Sequence, residues 1–295
     1  MNTGGITNRI FRFARALARH VPGALGQVSF ISSISFSGIS GSAVADAAGL
    51  GQFEHKAMVD NGYQPVVSAS IVAAASTIGP VIPPSIPFVL YGALTSVSVA
   101  RLFLAGFAPG VMMGLALMVV IAVMAKPRGF PRSGRASFRE VAVSFRDAFL
   151  PLLAPVIIIG GILSGLFTPT EASVVVCLYA LFLGFLYRDL RVRDLPEILW
   201  TSIRQSVGLL LIMAAANFFG WFTIYQRIPD NIIGALTTMS ASEPGIIAMI
   251  AAIVLILGCF IEGNAIFLIT IPIFLPVAKQ YGIDLVNLGV VMTLL

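Results

Sequence analysis

Gly38-Ile-Ser-Gly-Ser-Ala-Val-Ala-Asp46 and Gly258-Cys-Phe-Ile-Glu-Gly-Asn-Ala-Ile266 start 220 residues apart (258 minus 38) and share one design. In each, an apolar arm reaches a small, polar tip and a second arm carries the chain to a Gly-containing exit. The exits are Gly62-Tyr-Gln-Pro-Val-Val67 after the first tip and Gly282-Ile-Asp-Leu-Val-Asn287 after the second. Paired, polar-interrupted apolar segments in corresponding places of two halves point to the binding site of a secondary transporter.

The composition agrees. Hydrophobic residues make up 58% of the 295, and 11% are charged, against roughly 25% in soluble domains. Mean hydropathy is +0.96. This is the composition of a polytopic, all-helical membrane protein. The two cysteines, Cys177 and Cys259, lie in apolar runs where buried, inert thiols are expected, and they exclude a disulfide scaffold. His20 and His55 stand without a Cys/His cluster, so a transition-metal site has no support.

The net charge of +5 is informative by location. Lys126, Arg128, Arg132, Arg135, Arg139 and Arg146 crowd one loop, and Arg188, Arg191, Arg193 and Arg204 another. Both loops are cytoplasmic by the positive-inside rule. Nucleic acid is not expected as a partner, because the basic runs lack interleaved aromatics and adjoin bilayer-length apolar segments.

Segments 99–125, 148–168, 171–187 and 205–226 are long enough to cross a hydrocarbon core of about 30 Å. Val66–Leu94 is also long enough, but Ser76-Thr-Ile-Gly-Pro-Val-Ile-Pro-Pro-Ser-Ile-Pro87 lies in its middle. Each proline lacks an N–H and clashes with the preceding turn. The span is therefore predicted to unwind near 79–84, and unwound backbone at that depth must be buried in protein or line a cavity. Segments 27–58 and 244–281 carry their polar tips near the centre and read as re-entrant hairpins whose arms are too short to cross.

Counting 66–94 with the four spans gives five crossings between the hairpins, so they enter from opposite faces. The first enters from the cytoplasm, where Arg9, Arg12, Arg15 and Arg19 precede it. The result is an inverted repeat: residues 1–125, a basic cytoplasmic loop at 126–147, and residues 148–295, which end in the start of a further helix at 285–295. Ile6, Ile10, Phe13 and Leu17 recur at helical spacing among arginines, predicting an amphipathic helix at the membrane surface and not a signal peptide. Asp194–Ser206 reads either as a similar horizontal helix or as an ordinary loop helix.

Ser37-Gly-Ile-Ser-Gly-Ser-Ala-Val-Ala-Asp46, Ser76-Thr-Ile-Gly-Pro-Val-Ile-Pro-Pro-Ser85, Gly165-Leu-Phe-Thr-Pro-Thr-Glu-Ala172 and Pro272-Ile-Phe-Leu-Pro276 resemble the large membrane subunit of TRAP (tripartite ATP-independent periplasmic) transporters, in order and along the whole chain. The resemblance implies an elevator-type importer of small organic anions, carboxylates and sugar acids among them, in the bacterial inner membrane. It implies sodium as the coupling ion with no other cofactor or metal, and two partners: a small membrane subunit and a periplasmic substrate-binding protein. Members of this family also carry helices before the position of Met1 and a second Pro-Pro break after the second hairpin. The expectation is a chain truncated at both ends, with its second site half-built.

Sodium prefers oxygen ligands, which unwound carbonyls and hydroxyls supply. The candidate first site sets the tip Ser40, Gly41 and Ser42 against the break at Ser76, Thr77, Gly79, Pro84 and Ser85. The competing reading is that Gly and Ser there only allow close helix packing. Asp46 and Glu262 are sharper, because an ionisable group inside a membrane segment costs about 2.5–3.5 kcal/mol. Asp46 either accepts the tip's backbone N–H groups, purely as a cap, or sits near the ion. Glu262, with Gly263 and Asn264 at the second tip, either tunes an ion site or caps the following arm.

Glu171 is expected to be structural, with Thr168 or Thr170 capping the helix it begins. Arg101 is expected to snorkel to the outer interface, leaving helix N-termini at the breaks to receive an anion. No arranged nucleophile, base and acid is visible, so an enzyme is not expected. A scaffold or channel-like subunit is the alternative class, for which the antiparallel duplication would be superfluous. A single-component sodium/dicarboxylate-type carrier is the alternative within transporters.

Overall fold

The computed structural model describes residues 6–130, 134, 136–227 and 242–295, and the regular structure among them is helical. Arg132 and Arg135 of the basic loop lie outside the described residues. Among the described residues, five helices are long and apolar enough to cross a membrane: Val99–Ala125, Phe138–Leu163, Pro169–Leu186, Val192–Phe222 and Gly263–Gln280. The chain is thus a multi-pass helical membrane protein by length and composition. It divides into two compact units, Met1–Ser85 with Gly106–Arg191, and Ile86–Ala105 with Val192–Leu295.

The first unit opens with α1 (Ile6–Ala18). Its inward stripe is Ile10, Phe11, Ala14 and Ala18, packed with Val28, Phe36, Leu50 and Leu183. This corrects the expected face: Leu17 is 40% exposed, because α1 packs against protein along its length and the small Ala14 and Ala18 allow the approach. Arg9 lies 3.8 Å from the Asp189 carboxylate and stacks on the Tyr187 ring, and Arg19 pairs with Glu140 at 3.0 Å. The basic N-terminal helix is thereby tied to both basic loops.

The first hairpin is α2 (Ala24–Ser40), a tip at Gly41 and Ser42, then α3 (Ala43–Ala48) and α4 (Leu50–Asp60). Its returning arm is two helices, broken at Gly49. Pro65 starts α5 (Pro65–Ser76), in the first turn, where its missing N–H costs nothing. The helix stops at Ser76 and resumes only as α6 (Ile86–Thr95), so the break stands where the prolines require it. Neither half is long enough to cross alone.

α7 (Val99–Ala125) covers the break. A Cβ added at Gly110 would meet the Ile82 side chain at 2.7 Å, and one at Gly114 would meet Ile34 at 3.1 Å. Gln27, 1% exposed, donates from Nε2 to the Met118 carbonyl at 2.8 Å and so fixes α2 to α7. α8 (Phe138–Leu163) begins at Phe138, earlier than the predicted 148, because Ser137 accepts from Arg139 N–H and caps it. α9 (Pro169–Leu186) completes the unit, with Tyr179 donating to the Leu150 carbonyl at 2.8 Å.

The second unit holds α6, the start of α7, α10 (Leu195–Tyr225), α11 (Glu243–Gly258), α12 (Gly263–Gln280) and α13 (Leu285–Leu294). α10 runs through the place predicted for a separate helix at Asp194–Ser206. Pro196 sits in its first turn and no later proline interrupts it. The predicted short arms also need correction, since α12 has 18 residues, a length that reaches across about 27 Å. Its Pro272 and Pro276 do not end the helix. Cys177 and Cys259 are exposed, not buried: Cys177 lies at an outward-facing position of α9 and Cys259 at the C-cap of α11, and hydrophobic surroundings in sequence do not say which positions pack inward.

Tyr91 on α6 anchors this unit. Its hydroxyl donates to the Leu285 carbonyl at 2.7 Å, and its ring meets Phe267 edge-on at 6.2 Å. Gly289 of α13 lets the ring in, because a Cβ there would lie 2.7 Å from Tyr91 Cε1. Gly289→Ala is expected to lower stability by about 1–3 kcal/mol through overpacking, and Tyr91→Phe by about 1 kcal/mol through the lost hydrogen bond. Thermal unfolding of the purified protein in detergent checks both, and an unchanged melting temperature for Gly289→Ala would show that the ring does not bear on that helix.

Candidate functional site

The tip of the first hairpin forms because Gly41 adopts a left-handed φ of 59°, which costs glycine nothing. Ser42 then caps α3, its hydroxyl oxygen accepting from Ala45 N–H at 3.4 Å. Of Ser40 the backbone ends α2, and its side chain lies outside the described residues. Asp46, in the first turn of α3, is 1% exposed. Its carboxylate reaches the break: a Cβ added at Gly79 would stand 2.6 Å from Asp46 Oδ2. Gly79 is therefore glycine because the acid occupies that space.

At the break, hydroxyl protons are committed locally. Ser76 donates to Val72 O and Thr77 to Ala74 O, each at 2.8 Å, and Ser85 donates to Pro80 O. A hydroxyl that gives its proton to a carbonyl keeps oxygen lone pairs for a cation. Ser76 and Ser85 are buried and Pro84 is half-buried, whereas Thr77 is exposed. The Pro83–Pro84 bond is cis. The acid and the break thus meet in the first unit through α3 and α5. Gly51 brings α4 in as well, since a Cβ there would meet Val72 Cγ1 at 2.5 Å.

The second tip is built differently. Glu262 is the N-cap of α12, accepting from Ala265 N–H at 3.3 Å and from Asn264 Nδ2 at 2.8 Å. Glu262 and Gly263 are exposed and Asn264 is half-buried. Of the two roles open to Glu262, capping is the one with geometry. These three residues belong to the second unit.

Glu171 is structural as expected. Thr168 and Glu171 form a capping box, the carboxylate accepting Thr168 N–H at 2.8 Å. Arg101 is exposed. The sequence reading missed Glu54, 2% exposed on α4 and hydrogen-bonded to Ser32. The signal was present: Glu54 stands four residues from both Leu50 and Met58, on the stripe that faces inward.

Residues 1–295 match the profile of the family described as tripartite ATP-independent periplasmic transporter, DctM component. The chain belongs to this family. It is 44% identical over 295 residues to the sialic acid TRAP transporter large permease protein SiaM of Vibrio cholerae, covering 100% of this chain and 69% of that protein. It is 41% identical to the sialic acid TRAP transporter permease protein SiaT of Haemophilus influenzae, covering 100% of this chain and 48% of the relative. It is 40% identical over 293 residues to the C4-dicarboxylate TRAP transporter large permease protein DctM of Pseudomonas aeruginosa, covering 99% of this chain and 69% of the relative. The family is one of transporter permeases.

The Asp46 and Gly79 contact can be tested by itself. Gly79→Ala is expected to cost about 1–3 kcal/mol by forcing the acid aside. Adding Asp46→Ala should recover part of that loss, so the double variant melts higher than additive losses require. Strict additivity would show that the two positions do not touch.

Proposed function

We propose that this chain acts as the large permease of a sodium-coupled TRAP transporter in the bacterial inner membrane, importing small organic anions. The observation that carries this reading is the buried Asp46 carboxylate set against Gly79 at a proline-enforced break. A tip with a left-handed glycine, a capping serine and a buried acid, facing unwound backbone with back-bonded hydroxyls, offers a dehydrated sodium ion oxygen ligands and charge compensation. The first ion site comprises Ser40, Gly41, Ser42, Asp46, Ser76, Thr77, Gly79, Pro84 and Ser85, and a second comprises Glu262, Gly263 and Asn264. The hairpin at 27–58 is re-entrant from the cytoplasmic face, and the halves 1–125 and 148–295 form the inverted repeat of an elevator.

The relatives' names support this substrate class, since sialic acid and C4-dicarboxylates share a carboxylate. A small membrane subunit and a periplasmic substrate-binding protein are the partners, the latter choosing the solute. The permease with both partners in proteoliposomes should take up its organic acid only with an inward sodium gradient. Ser42→Leu or Thr77→Leu should remove the sodium stimulation while leaving membrane insertion unchanged, because the larger side chain blocks the approach of tip and break. Undiminished sodium-stimulated uptake by both variants would place the ion elsewhere, and gradient-independent uptake by the unaltered permease would overturn sodium coupling.

A further inference from the structure

Glu54 is a buried acid that the ion site does not use. It faces inward from α4 between Leu50 and Met58, which are each 1% exposed. Across from it on α2 stand Ser29 and Ser32, both with 0% exposure. The Ser32 hydroxyl is hydrogen-bonded to the Glu54 carboxyl, and the same oxygen lies 2.8 Å from the Val28 carbonyl and 3.2 Å from the Ser29 carbonyl.

No ion pair reaches Glu54 among the described residues. The helices packed on it offer no cation. α2 and α5 carry no ionisable side chain, and α3 carries only Asp46, whose charge adds repulsion. α1 meets α4 where Phe11 and Phe53 stack edge-on at 4.9 Å, with Arg12 and Arg15 exposed. On α4 itself His55 turns to Ser68, its Nδ1 3.0 Å from Oγ, while Lys56 and Asp60 are exposed.

We propose that Glu54 is a proton-binding site, which holds its proton in the folded hairpin and serves as an uncharged latch between α2 and α4. A serine hydroxyl has one proton. When Ser32 gives that proton to the Val28 carbonyl, its bond to Glu54 takes the proton from the acid. A neutral acid also removes the penalty of an uncompensated charge inside a membrane segment. Once ionised, Glu54 would lose the proton it gives to Ser32 and leave a charge buried between α2 and α4, so the latch makes the hairpin sensitive to alkaline conditions. The proposal rests on the packing of the hairpin and stands independently of sodium coupling.

Infrared spectroscopy of the purified chain in lipid at neutral pH tests it. The expected result is a protonated carboxylic acid C=O stretch, slow to shift in D₂O, that disappears in Glu54→Gln and persists in Asp46→Asn. Glu54→Gln should keep the melting temperature, because an amide is uncharged and can still bond Ser32, whereas Glu54→Ala should lower it. Absence of the band at neutral pH, its survival in Glu54→Gln, or its loss in Asp46→Asn overturns the proposal. Should Glu54→Gln fail to fold, unaltered protein with carbon-13-labelled glutamate decides. Glu54 is the one buried glutamate among the described residues, so a band that moves on labelling supports the assignment and an unmoved one overturns it.

Discussion

Between Ser76 and Ile86 the backbone cannot be helical, and the rest of the first unit is arranged around that fact. Pro80, Pro83, Pro84 and Pro87 remove donors and clash with preceding turns. In hydrocarbon the freed carbonyls would have no partner, so protein must cover them. α7 covers them with Gly110 and Gly114, and the first hairpin covers them with Asp46 against Gly79. The small residues are the means of approach: each lets a side chain or a backbone lie where a Cβ would otherwise be. α2 is then tied to α7 by Gln27, and α4 to α5 by the contact at Gly51. An unwound span that would be a liability by itself becomes a place where oxygen atoms and one acid converge.

The two tips look alike in sequence and differ in physics. Asp46 is buried and aimed across a gap at another element, whereas Glu262 is exposed and spends its carboxylate on the N-terminus of its own helix. An acid that caps its own arm orders the tip locally. An acid buried against unwound backbone links two elements. That asymmetry makes the first tip the stronger candidate for coupling chemistry. It also separates Asp46 from Glu54, which shares its hairpin but is enclosed by hydroxyls.

Much of this was legible because the signals were local. Proline positions fix where a helix stops, Thr168 and Glu171 at capping-box spacing fix where one starts, and apolar length marks α7 and α9 almost to the residue. The misreadings share a cause. Residues Ile6, Ile10, Phe13 and Leu17 form an apolar stripe by spacing, yet α1 turns Ile10, Phe11, Ala14 and Ala18 inward, because the face that packs depends on what lies opposite. Cys177 and Cys259 were read as buried from apolar surroundings, a signal that cannot separate a protein-facing position from an outward one. Glu54 was overlooked since its meaning depends on a serine 22 residues away.

The sequence by itself determined the class of protein, the helical content, the place of the break and the family, because composition, proline and short motifs act through neighbours in the chain. Tertiary structure alone decided which acid does what. Asp46 and Glu54 are equivalent carboxylates until packing places one against Gly79 and one against Ser32, whereas Glu171 and Glu262 cap their own helices through neighbours in the chain. A charge in a low-dielectric interior is governed by the few atoms around it, and those atoms come from segments that only folding brings together.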